Sequence, residues 1–282
     1  MPVDVAAAEG FVWSCARLLD RHRYALLFRD GSGAAVVEAL RGYRNDDGGF
    51  GHAMEPDLRS PESQTAATLY ALEALEEADA LDSAMARDAI AWIASVADED
   101  GGLPFAVPGF EPYPHSPWWT PSPGSFLTFA VAALLLRNGV ADPWLDRATE
   151  WCWRAIDAAD APSGYWLVHA CAFLDAVEGD ARARAALEQL GARAAPEVLA
   201  PPLDTSEEVL RPLHISPRPG SRSRVLFSDD AIAANLDFVE ADQREDGGWM
   251  FDWLAWSPAQ TTDWRGIVTI EALQTLRAHG RL

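Results

Sequence analysis

The chain has 282 residues, 49% of them hydrophobic and 23% charged, which is enough to bury a large core and excludes a disordered or small disulfide-built protein. Acidic residues outnumber basic ones 43 to 22, every basic residue is Arg, and the net charge of −21 repels nucleic-acid phosphates and anionic membrane surfaces. The three cysteines (Cys15, Cys152 and Cys171) have no CxxC spacing, which argues against a zinc ribbon or a disulfide framework.

In chain order, apolar periodicity predicts helices over 5–29, 33–44, 63–78, 81–97, 122–138, 142–159, 163–178, 180–194, 228–243 and 260–279. No segment of useful length alternates with period two, so the chain is read as all-α. The segments GSFLTFAVAALLL (124–136) and SGYWLVHACAFL (163–174) are apolar nearly all round, as helices enclosed by other helices must be. The longest apolar run, Phe126 to Leu136 interrupted by Thr128, is too short to cross a bilayer. The first ten residues carry acids where a secretory signal carries a basic start, so a soluble, cytoplasmic protein without a transmembrane segment is expected.

The joints between helices repeat. RNDDGGF (44–50), DEDGGL (98–103) and REDGGW (244–249) each follow one helix and precede a loop and a more apolar helix, and DAPSGY (160–165) is a degenerate fourth copy. The glycines let the chain leave a helix through positive φ, and the apolar residue after them plugs back into the core. The proline-rich stretch from Pro196 to Pro219 has room for one further unit. A hairpin of this kind cannot bury its apolar face alone, so several must pack side by side. Hairpins that pair a polar with an apolar helix suit two concentric rings. The expectation is an α/α toroid of about five to six helical hairpins forming a single domain over 1–282.

QREDGGW (243–249), preceded by NLDFVEAD, resembles the QW repeat of the terpenoid cyclase and protein prenyltransferase superfamily, and DGGFG followed by SQTAATLYALEAL resembles it too. The resemblance spans about residues 33 to 279 and implies an α/α toroid. It implies less about chemistry, because relatives include cyclases, prenyl-transfer subunits and non-enzymes. Class II cyclases of that superfamily carry a DxDD motif after a GGW-type turn. At the matching offset this chain has Gln260, Thr261, Thr262 and Asp263, and in the first repeat Pro61, Glu62, Ser63 and Gln64. The D-x-C zinc arrangement of prenyltransferases and the DDxxD motif of class I enzymes are absent.

The candidate acids follow from loop position. HAMEPDLRSPE (52–62) places Glu55 and Asp57 close to Arg59 ahead of an apolar helix, where two neighbouring carboxyls can have their pKa values pushed apart for acid catalysis. The same acids also suit an Arg59-paired turn, and Glu62 suits a helix cap. Asp252 and Asp263 flank a second aromatic stretch and are the next candidates, Asp263 being equally able to cap a helix or pair with Arg265. Trp118, Trp119, Trp249, Trp253, Trp256 and Trp264 lie in or beside the repeat loops, where they can hold a cation or an isoprenoid chain, stack on sugars, or fill the core. His52, Arg59 and Arg265 complete the expected substrate-binding set. Asp46 and Asp47 read as turn residues, His169 as a core histidine, and SPRPGSRSR (216–224) as a solvated loop or a diphosphate site.

The reading is a terpene cyclase-like or isoprenoid-processing enzyme of a non-standard class II type. A carboxylic acid protonates a polyprenyl substrate in an aromatic-lined cavity, no cofactor is needed, and Mg²⁺ enters only with a diphosphate substrate. A glycoside hydrolase or lyase on the same toroid, and a non-catalytic module binding a lipid or protein, are the alternatives. The expected partner is a small hydrophobic isoprenoid and no nucleic acid; the oligomeric state stays open.

Overall fold

The computed structural model describes residues 2–202 and 208–282, and among these the regular structure is entirely helical. Thirteen α-helices follow one another: α1 (Val5–Cys15), α2 (Leu18–Phe28), α3 (Gly33–Leu40), α4 (Thr65–Glu77), α5 (Ala84–Val96), α6 (Leu127–Arg137), α7 (Pro143–Ala158), α8 (Gly164–Ala176), α9 (Asp180–Arg193), α10 (Pro196–Leu199), α11 (Pro212–Ile215), α12 (Asp229–Ala241) and α13 (Pro258–Ala278). Short 3₁₀ turns follow α3 at Arg41–Tyr43 and precede α12 at Arg222–Leu226. The helix expected over 5–29 is two helices, because Ala16 and Arg17 are extended (ψ 158° at both). The proline-rich stretch holds the two four-residue helices α10 and α11, with residues 203–207 outside the described part.

The chain divides into two compact units, Arg17–Cys152 and the pair of segments Met1–Ala16 with Trp153–Leu282. In the first unit α4 packs against α2, α3, α5 and α6. That surround explains why α4 is buried along most of its length and why α6 is buried continuously from Leu127 to Leu135. In the second unit α8 packs on α9 and α11, and α13 packs on α12 and on α1, so the two ends of the chain lie in one unit.

Each Asp-Gly-Gly turn is built the same way. The glycine N–H groups of Gly49, Gly102 and Gly248 donate to the carboxylates of Asp47, Asp100 and Asp246 two residues earlier. Gly48, Gly101 and Gly247 have φ of 92°, 94° and 89°, a region closed to most side chains. A Cβ on any of them would strike the backbone of a neighbouring helix, at Asp88, Arg147 and Ala7 respectively, and the second glycine of each pair lies against an aromatic one turn further along that helix: Trp92, Trp151 and Phe11. Trp92 Nε1 donates to Asp47 at 3.0 Å, while at the third turn it is Arg265 that donates two hydrogen bonds to the Asp246 carboxylate (2.7 and 2.8 Å).

The residue after each glycine pair is fixed by a threonine of the following apolar helix. The N–H groups of Phe50, Leu103 and Trp249 donate to Oγ1 of Thr68, Thr128 and Thr269, all buried, at 3.1, 2.8 and 3.0 Å. Thr68→Val keeps the shape but strands the Phe50 N–H, so it is expected to cost about 1–3 kcal/mol. The urea midpoint measures this loss; unchanged midpoints in the Val variants of all three threonines would remove the hydroxyls from the account. Gln243 completes the last turn, donating to the carbonyls of Gly247 and Asp4 (both 2.9 Å) and accepting from the Asp4 N–H.

Candidate functional site

The loop between the first Asp-Gly-Gly turn and α4 carries the expected acid pair. His52 and Ala53 both have positive φ (55° and 59°), two successive non-glycine residues in a conformation costing about 1–2 kcal/mol each. Arg17 holds that strained stretch: its guanidinium donates to the carbonyls of Ala53 (3.2 Å) and Met54 (2.9 Å) and pairs with the buried Asp20 at 2.7 Å. The next residue, Glu55, is 6% exposed, and Asp57 is 4% exposed.

The two carboxyls have different surroundings. Asp57 Oδ1 accepts from Ser116 Oγ at 2.9 Å, and the Asp57 carbonyl accepts from the Ser116 N–H at 2.9 Å. A bridge between Leu58 and His115, and an N–H of Arg59 donated to the Pro114 carbonyl, continue this seam. Glu55 Oε2 is buried with no hydrogen-bond partner. Burial, then the neighbouring Asp57 charge, hold the Glu55 carboxyl well above the usual carboxylate range; the N–H groups of Asp57 and Leu58 and the Arg17 charge pull weakly the other way.

Aromatic rings lie along the same seam. Trp119, three residues after Ser116, stacks on Phe105 (4.8 Å between centroids) and meets Phe110 edge-on at 6.4 Å. Phe105 also packs on Phe126. Trp119 is buried, whereas Trp118 is 39% exposed.

The other expected residues have structural occupations. His52 is exposed, with Nε2 3.0 Å from Asn45 Oδ1. Asp47 is a turn residue, and Glu62 is exposed, its N–H donating to Ser60 Oγ. The position that matches the central acid of DxDD in the first repeat, Ser63, donates to Asp47 at 2.8 Å.

In the second unit Asp252 pairs with the buried Arg211 at 2.7 Å, Arg211 lies over the Phe238 ring, and Asp263 is half-buried on α13. Trp249 is buried and donates to the Val239 carbonyl; Trp253 packs on Phe251 (4.6 Å) and Trp264 (4.9 Å), and Trp256 is half-buried. Arg265, bound to Asp246, lies over Phe11 and borders an open depression with Arg244, Glu245 and Met250. His169 is pushed down to about 4 by burial, and Tyr165 stacks on it at 6.5 Å. Arg222, in the Arg-rich segment, caps α8 through the carbonyls of Leu174, Asp175 and Val177 and pairs with Asp180, which occupies it without any phosphate.

Arg17 and Ser116 were not among the expected residues. Each touches the acid loop from a distant part of the chain, neither stands in a motif, and the sequence carries no signal for either. Among the described residues, no cluster of three or more His, Cys, Asp or Glu is arranged to hold a metal ion, and no helix is long and apolar enough to cross a membrane.

No protein-family model matches the chain, and no curated protein sequence does. Solved structures do. A protein from Actinoplanes is 19% identical, with TM-score 0.57 over 98% of this chain and 89% of that one. A variant of the type II terpene cyclase MstE from Scytonema, in complex with geranylgeranyl dihydroxybenzoate, is 16% identical, with TM-score 0.60 over 98% of this chain and 97% of that one. A second variant of that cyclase, in complex with merosterolic acid A as product, matches with 16% identity and TM-score 0.60 over 98% and 96%. The chain therefore has the all-α toroid fold of type II terpene cyclases.

Proposed function

We propose that the protein is a terpene cyclase-like enzyme in which Glu55 protonates an alkene of a prenylated substrate. The observation that supports this best is the buried Glu55 carboxyl, whose Oε2 has no partner and whose pKa is raised by burial and then by Asp57. The loop sequence offers Asp57 and Glu55 alike, ahead of Asp263; the Ser116 hydroxyl donated to Asp57, against the unpartnered Glu55 Oε2, supports Glu55 as the proton donor.

The step balances simply. The Glu55 O–H bond breaks, the π pair of the alkene forms a new C–H bond, and a tertiary cation remains beside the Glu55 carboxylate. The N–H groups of Asp57 and Leu58 and the Arg17 charge, which oppose the raised pKa, then stabilise the carboxylate just formed. Phe105, Phe110 and Trp119 offer π faces to the cation and keep water away from it. Internal alkenes attack in turn, a final proton loss ends the sequence, and Glu55 regains its proton from solvent. The step as written uses no metal.

The test is product analysis by mass spectrometry. Purified protein is incubated with geranylgeranyl dihydroxybenzoate, linear prenyl diphosphates and squalene, beside Glu55→Gln and Asp57→Asn. Cyclised product from the native protein and none from Glu55→Gln is the expected result. Product surviving in Glu55→Gln moves the acid elsewhere, and no product from any polyene sinks the reading.

A further inference from the structure

The N-terminus of α4 is buried and has no side-chain cap. Its first three residues, Thr65, Ala66 and Ala67, are all buried, and the N-cap residue Gln64 turns its amide away to Val107, donating to the carbonyl at 2.8 Å and accepting from the N–H at 2.9 Å. The first turn of a helix leaves peptide N–H groups without intrahelical acceptors, and at a buried end water does not replace them. By contrast α5, α12 and α13 begin with Ser83, Ser228 and Ser257, whose side chains accept from that first turn.

Within the first unit, three buried polar side-chain atoms on segments linked to this end have no hydrogen-bond partner. Thr65 is 0% exposed and its Oγ1 has none; the same holds for Trp119 Nε1 and Glu55 Oε2. Thr65 is the first residue of α4, and because helical side chains lean toward the N-terminus its hydroxyl is aimed out of that end. The three residues belong to one bonded circuit. Gln64 is fixed to Val107, Phe105 two residues earlier stacks on Trp119, the Trp119 N–H donates to the Ser116 carbonyl, and Ser116 holds Asp57. Gln64 closes the circuit by donating its N–H to the Phe50 carbonyl at the start of the acid loop.

The donor and acceptor inventory of this end is one-sided. Peptide N–H groups and an indole N–H only donate, and a threonine hydroxyl donates as readily as it accepts. What is missing is an acceptor. A charged acceptor is disfavoured because the buried Asp57 carboxylate lies on the same circuit, while the Arg17 guanidinium is already committed to Asp20 and two carbonyls.

We infer that the N-terminus of α4, with Thr65 and Trp119, is a binding subsite for an uncharged acceptor oxygen, a carbonyl or ether, carried by the substrate. The inference rests on the prenyl-substrate reading and narrows it: the part of the substrate that reaches the acid loop is oxygenated. A plain hydrocarbon leaves these donors unmet, at a cost no apolar contact restores.

Binding of matched probes tests this. Dissociation constants are measured by tryptophan fluorescence for farnesylacetone (a prenyl methyl ketone), for the hydrocarbon with a methylene in place of its carbonyl, and for farnesylacetic acid. The native protein is expected to bind the ketone about tenfold more tightly than the hydrocarbon, and Thr65→Val and Trp119→Phe each to cut that preference about threefold or more. Thr65→Ser keeps the hydroxyl and should keep the preference, which separates a lost hydrogen bond from a disturbed fold. Equal binding of ketone and hydrocarbon, or a preference that survives both substitutions, overturns the subsite and leaves the prenyl reading standing. Tighter binding of the carboxylate overturns the uncharged acceptor. If neither ketone nor hydrocarbon binds, the prenyl reading falls and the subsite with it.

Discussion

Glu55→Gln is expected to lower turnover by about 10³-fold or more and at the same time to make the protein more stable than the native chain above neutral pH. The activity loss follows from removing the only proton that the amide cannot supply. The stability gain follows from linkage. In the folded protein the Glu55 carboxyl holds its proton well above the usual range, because burial and then Asp57 disfavour the charge; in the unfolded chain it ionises normally. Between those two pKa values the native state binds a proton that the unfolded state has released, so stability falls as pH rises through that window, by up to ~1.4 kcal/mol per pH unit. Below the unfolded value the two states are equally protonated and the group contributes no pH dependence. Glutamine has no proton to lose. Urea midpoints of the two proteins should therefore lie close at pH 4 and separate progressively toward pH 8, the variant becoming the more stable. A separation that does not change with pH would mean that Glu55 is ionised in the native state, and the proton donor would have to be sought elsewhere.

The helical hairpins were legible because their signal is local. A glycine pair after an Asp, followed by one large apolar residue, fixes a turn whatever surrounds it, and the three full copies share their hydrogen bonds down to the Asp carboxylate. The burial of the helix over 124–136 was equally local, since a segment apolar on all sides has no face to give to water. What escaped the sequence were partnerships across long separations. Apolar periodicity runs on through Ala16 and Arg17, which hid the break that frees the Arg17 side chain for the acid loop. The choice between Glu55 and Asp57 turned on Ser116, 59 residues from Asp57. Arg59, next to the acids in sequence, was the natural expectation for their counter-charge, yet the charge that acts on Glu55 is that of Arg17. The tryptophans show the same limit: their loop context was readable, but whether a ring is buried like Trp119 or open like Trp118 depends on partners such as Phe105.

Gly247→Ala is the substitution expected to damage the fold most. Gly247 has φ of 89°, so any Cβ there costs about 1–2 kcal/mol in backbone strain alone. The added carbon would also overlap the carbonyl of Ala7, which is backbone inside α1 and has no rotamer through which to escape. Relief requires α1 to leave the turn, and α1 is tied there by Gln243, which bonds both the N–H and the carbonyl of Asp4, and by Gly248 lying against Phe11. The strain therefore spreads to every contact that joins the two ends of the chain in the second unit. A loss of about 4 kcal/mol or more is expected, large enough to leave much of a marginally stable domain unfolded. Gly280→Ala is the control: its φ is 69° and a Cβ would meet open space, so it should lose only the conformational term. Gly48→Ala belongs between them, since its Cβ would lie 2.8 Å from the Asp88 carbonyl of α5. Urea unfolding of the three variants, ordered Gly280 mildest and Gly247 severest, measures how much of the second unit depends on close seating of α1. Equal losses at Gly247 and Gly280 would show that α1 shifts freely, and that the conserved geometry of the three turns is set by their own hydrogen bonds rather than by the helices they touch.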